Sequence, residues 1–123
     1  MRILIIDSDA VNLKLIRTVL VSGGHDVLTA DSVAAALETA VHAIPELIVM
    51  DVQPADMDDS SPTRYLKSDP RLQSVPVIAV TAMAMKNDRE RILQAGFDHY
   101  VSKPIRYREL LDLVEQIKQK RRL

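Results

Sequence analysis

At 123 residues the chain has the length of one ordinary domain, and residues 1–123 are expected to form a single unit. Its 47 % apolar and 27 % charged content is a globular balance, and a net charge of −1 removes any global electrostatic case for binding nucleic acid. With no cysteine, a disulfide framework, a thiolate metal site and a cysteine nucleophile are all excluded.

One Phe, three Tyr and no Trp mean that the core must be aliphatic. The opening Met1–Asp7 is too short for the apolar region of a signal peptide. The run from Val75 to Met85 carries Pro76 and is too short to span a bilayer. A cytoplasmic protein with no membrane contact is the expectation.

In chain order, the first predicted strand is Ile3–Asp7, followed by an apolar stripe of Leu13, Ile16, Val19 and Leu20 at helical spacing. Asp26–Ala30 reads as a second strand. A helix follows, with Asp31 or Ser32 as its cap and Val33, Ala36, Leu37 and Ala40 on its inner face. Glu46–Asp51 is a nearly continuous apolar run, as a strand covered on both faces should be. Ser61-Pro62 looks like a cap followed by proline at the first helical position, opening a short helix through Tyr65 and Leu66.

Val77–Thr81 is the fourth predicted strand. The helix after it stops at Gly96, where a left-handed residue is expected. Phe97–Ser102 is the fifth strand, and the last helix, after Pro104, presents Leu110, Leu111, Val114 and Ile117 on one side. Its basic end (Lys118, Lys120, Arg121, Arg122) reads as a solvated terminus favoured by the helix dipole. Alternating units of this kind imply a parallel sheet joined by right-handed crossovers, with ligand chemistry gathered at the carboxyl ends of the strands.

Those ends carry Asp7-Ser8-Asp9, Asp51, Thr81 and Ser102-Lys103-Pro104. Grouped carboxylates raise each other's pKa unless a cation sits among them. Mg²⁺ suits such a place because it takes one or two carboxylates and leaves room for water and phosphate oxygens. A lysine and a hydroxyl would meet the remaining phosphoryl oxygens, and phosphoryl transfer asks mostly for positioning and charge neutralisation. Duller explanations stand beside each residue: Asp9 as a helix cap, Thr81 as a strand-end threonine, Lys103 as a surface charge. Asp51, closing an apolar strand, is the hardest to explain away.

Over essentially its full length the sequence resembles the receiver domain of two-component response regulators. The resemblance rests on Ile3–Asp7, Leu47–Gln53, Pro76–Ala82 and Tyr100–Pro104. The stretch from Val77 to Ile105 is similar to DivK-type single-domain regulators and to receivers attached to hybrid histidine kinases.

The resemblance implies a doubly wound, flavodoxin-like α/β fold with strand order 2-1-3-4-5 and five helices. It implies that Asp51 accepts a phosphoryl group from a histidine kinase or phosphotransfer protein. Asp7, Asp51 and the backbone carbonyl of Gln53 would hold Mg²⁺, Thr81 and Lys103 would contact the phosphate, and Tyr100 would be the switch aromatic. A downstream protein would read the face made by the fourth helix, fifth strand and fifth helix, on a monomer or weak homodimer. Enzyme activity would be limited to self-phosphorylation and self-dephosphorylation, and the Lys103–Pro104 peptide would be cis.

Three departures from the pattern stand out. Ser8 holds the place of a second acidic metal ligand, leaving either Ser8 or Asp9 to fill that role. Ala55 and Asp59 stand where proline and glycine are usual, with Pro54 one position early. The loop Gln53–Ser61 is acidic through Asp56, Asp58 and Asp59. Two alternatives follow. One is a degenerate receiver that binds its partner without phosphate. The other, prompted by Asp7-Ser8-Asp9-Ala10-Val11, is a haloacid-dehalogenase-like phosphatase with Asp7 as nucleophile and Asp9 as general acid/base.

Overall fold

A computed structural model describes residues 1–53, 62–82 and 86–122. The elements alternate as the periodicity requires: β1 (Arg2–Ile6), α1 (Ala10–Ser22), β2 (Asp26–Ala30), α2 (Val33–His42), β3 (Leu47–Val52), α3 (Pro62–Lys67), β4 (Val77–Thr81), α4 (Lys86–Gln94), β5 (His99–Ser102) and α5 (Tyr107–Arg122). All four strand pairings are parallel, and the sheet order is β2-β1-β3-β4-β5. This is the doubly wound, flavodoxin-like arrangement expected from the sequence.

Side chains alternate across the strands, so each strand feeds two cores. Leu4, Ile6, Ile48 and Met50 pack with Ala36 and Ala40 of α2, Leu66 of α3 and Ile92 of α4. Ile3, Ile5, Leu47 and Val49 pack with Ile16 and Leu20 of α1 and with Leu110, Val114 and Ile117 of α5. Burying each such side chain contributes about 1.5–3 kcal/mol, which is why the strand runs are apolar on both faces.

Three local boundaries differ from the sequence reading, and one open choice, the α2 cap, is resolved. β1 closes at Ile6, so Asp7 lies just past it, although its N–H still bonds the Ala30 carbonyl at 3.1 Å. β3 runs on to Val52, placing Asp51 within the strand, in register with Val80. β5 begins at His99, because the Phe97 N–H is directed back to the Ile92 carbonyl at the end of α4. Ser32, not Asp31, caps α2, its hydroxyl accepting the Ala35 N–H at 3.1 Å. Gly96 has φ 103°, the left-handed stop expected there, and the Lys103–Pro104 peptide is cis. Ser61, expected to cap α3, and the loop positions Pro54, Ala55, Asp56, Asp58 and Asp59 lie outside the described residues.

Candidate phosphoacceptor site

The sheet brings Asp7, Asp51, Thr81 and Lys103 to one edge through the register of β1, β3, β4 and β5. Asp51 shares the β3 face of Leu47 and Val49, which lies toward α1 and α5. Lys103 is carried there by continuation of the β4–β5 pairing, its N–H bonding the Thr81 carbonyl at 2.8 Å. Its Nζ lies 2.5 Å from Asp51 Oδ1, a meeting of charges rather than a directed hydrogen bond. Asp51 Oδ2 accepts the side-chain amide of Gln53 at 3.0 Å. Sequence reasoning missed that amide, although residues two apart on a strand share a face and the spacing could have disclosed it.

Asp7 is the other acid of the group. It is only 4 % exposed. Its Oδ1 accepts the Asp9 N–H at 2.8 Å, and its Oδ2 is buried with no hydrogen-bond partner among the described residues. Burial first, and then the Asp51 charge, raise the Asp7 carboxyl above its ordinary value of 3.8, against the opposing pull of the Asp9 N–H and of Lys103.

Asp9 has a different task. Its Oδ1 accepts the N–H groups of Val11 at 2.9 Å and Asn12 at 3.2 Å, capping α1. Ser8 is exposed beside them.

Thr81 is fully buried at the end of β4. By alternation it shares the face of Ala79, whose register partner is Tyr100. Tyr100 is half-buried, packs against the α2–α3–α4 core, and has the Arg89 guanidinium 6.0 Å from its ring centroid. Thr81 and Tyr100 therefore lie on the opposite sheet face from Asp51, toward α4.

Among the described residues no group of three or more His, Cys, Asp or Glu comes together, and the described carboxylates nearest each other at this edge are those of Asp7 and Asp51. Two carboxylates, one with a buried oxygen that no described residue satisfies, fit a hard divalent cation that retains water. The edge is also flanked by apolar surface. Leu15 and Ile16 of α1 with Pro104, Ile105 and Tyr107 line a groove of about 200 Å³ that reaches Lys103. Leu15 and Tyr107 are exposed there.

A parallel sheet in this order, with an acid, a lysine and a buried threonine on adjacent strand ends, defines a response regulator receiver. The chain belongs to that family, matching the response regulator receiver domain over residues 3–115. It is 37 % identical over 113 residues to the polar-differentiation response regulator DivK of Brucella ovis, covering 92 % of each chain. A response regulator from Desulfuromonas acetoxidans superposes with TM-score 0.82 at 25 % identity, over 96 % of each chain. The chemotaxis response regulator CheY4 of Vibrio cholerae shares the fold, with TM-score 0.81 at 19 % identity over 94 % of this chain and 97 % of that one. No helix among the described residues is long and apolar enough to cross a membrane.

Proposed function

We propose that residues 1–123 are one phosphorylation-operated receiver domain, which takes a phosphoryl group onto Asp51 from the phosphohistidine of a histidine kinase or phosphotransfer protein. The observation that carries this reading is Asp51 itself: a carboxylate on the sheet edge, 2.5 Å from the Lys103 ammonium and beside a second acid whose buried Oδ2 has no hydrogen-bond partner among the described residues. An Asp51 carboxylate oxygen forms the new O–P bond, the donor's P–N bond breaks, and its electron pair stays with the imidazole. Lys103 neutralises charge on the transferred group, and Thr81 sits at the strand end where its hydroxyl is positioned by β4.

Asp7, Asp51 and the Gln53 carbonyl would hold Mg²⁺, which supplies charge neutralisation at the phosphoryl oxygens. The exposed apolar groove beside Lys103 gives a donor protein somewhere to seat. The signal leaves through α4, β5 and α5 to a downstream protein, with Tyr100 as the moving aromatic, from a cytoplasmic monomer or weak dimer that needs neither nucleic acid nor membrane. Phosphate acts as a local charge that biases a two-state surface.

Incubation with Mg²⁺ and acetyl phosphate, followed by intact-mass measurement, tests this. One phosphoryl adduct that disappears in Asp51→Asn and forms more slowly in Asp7→Asn, where the metal is held less well, is the expected pattern; an adduct that survives in Asp51→Asn overturns it. A second reading has its own observation. Asp9 is committed to the α1 cap and Ser8 carries no charge, so a receiver working without phosphate would show neither adduct nor Mg²⁺ binding.

A further inference from the structure

Two side chains of α3 reach the turn that joins α4 to β5. Thr63 is only 2 % exposed and donates its hydroxyl to the Ala95 carbonyl. One helical turn later, Lys67 Nζ lies 3.1 Å from Asp98 Oδ2. The same oxygen accepts the Val77 N–H at 2.8 Å, while the Asp98 N–H bonds the Val77 carbonyl at 2.9 Å. Between these links stands Gly96, with φ 103°. A Cβ there would lie 2.8 Å from Thr63 Oγ1, so α3 approaches the turn as closely as a bare backbone permits. Underneath, Leu66 packs in one cluster with Ile92 and Phe97.

Thr63 and Lys67 stand four residues apart and so project from one face of α3. They form a two-point clamp on a turn that leads directly into His99 and Tyr100. The two points are unequal. The Lys67–Asp98 pair is partly exposed and contributes little, whereas breaking a buried hydrogen bond is costly. Thr63 is thus the stronger link.

We propose that α3 is a lever on the α4–β5 edge. It is the first described element after the strand that bears Asp51, and its displacement loosens Gly96–Asp98 and releases the edge at Tyr100 without any movement of Thr81. The coupling is a property of the unmodified chain and stands or falls independently of phosphorylation.

Amide hydrogen exchange on the unmodified protein tests it. Thr63→Val keeps the shape and removes the hydroxyl, while Thr63→Ser keeps the hydroxyl. In Thr63→Val the amides of Phe97, Asp98 and Tyr100 should exchange about tenfold faster relative to that of Asp7, which bonds across to β2. Thr63→Ser should stay near wild type. Unchanged Phe97 and Asp98 rates alongside a faster Ser68 amide would overturn the lever. So would equal acceleration at Asp7, which signals only global destabilisation. Acceleration in Thr63→Ser as large as in Thr63→Val would likewise assign the effect to methyl packing and end the proposal.

Discussion

Asp7→Asn should stabilise the metal-free protein at neutral pH. Asp7 Oδ1 already accepts the Asp9 N–H, a role that an amide oxygen keeps. What the substitution removes is a buried charge whose Oδ2 has no hydrogen-bond partner among the described residues. A buried unsatisfied polar group costs about 1–3 kcal/mol, and more when charged. Burial of the new amide NH₂ takes back part of the gain, leaving roughly 1–2 kcal/mol. For a domain of this length that corresponds to a rise in Tm of about 4–8 °C.

The pH dependence has a definite sign. Asp7 has a folded-state pKa raised above the ordinary value of 3.8, so the folded chain binds its proton more readily than the unfolded chain does. Wild-type stability from this group is fully present below 3.8 and is lost as pH rises through the raised value. The advantage of Asp7→Asn should therefore be largest at neutral pH and vanish below about 3.8. Mg²⁺ should raise the Tm of the wild type by mass action and leave Asp7→Asn nearly unmoved. Thermal melts by circular dichroism across pH, with and without Mg²⁺, make the measurement. A lower Tm for Asp7→Asn at pH 7 without metal, or a difference that does not change with pH, refutes the reasoning.

Three further outcomes are expected. Leu15→Asp places a charge in the exposed apolar groove beside Lys103; transfer from a phosphorylated donor protein should fall about tenfold while labelling by acetyl phosphate stays unchanged. Ser8→Asp adds an acid beside Asp7 and should tighten Mg²⁺ binding in a calorimetric titration; an unchanged affinity means that position 8 does not reach the metal. Gly96→Ala meets both a φ of 103° and Thr63 Oγ1 at 2.8 Å, and urea unfolding should show a loss of about 1–3 kcal/mol.

Most of the fold was legible in the residues because hydrophobic periodicity is a local property. The five apolar runs, the stripe Ile16 and Leu20, and the stop at Gly96 each follow from neighbours within a few turns. Parallel pairing then follows from alternation, and with it the arrival of Asp7, Asp51, Thr81 and Lys103 at one edge. Boundaries were less legible. β3 continues past Asp51 because Val52 has Thr81 as a partner in β4, a fact about a neighbouring strand that the run Leu47–Asp51 does not contain.

What the tertiary structure alone decided is how the polar atoms are shared. The residues Asp7, Asp9 and Asp51 are chemically alike in sequence. Folding caps α1 with Asp9, pairs Asp51 with Lys103 and the Gln53 amide, and leaves one buried oxygen of Asp7 without a hydrogen-bond partner among the described residues. Likewise nothing local joins Thr63 to Ala95 or Lys67 to Asp98, which lie 32 and 31 residues apart. Periodicity tells a side chain which face to take. Only the packed neighbours of that face determine which hydrogen bonds and charges it meets there, because burial makes each unpaired polar atom costly and so selects among the possible partners.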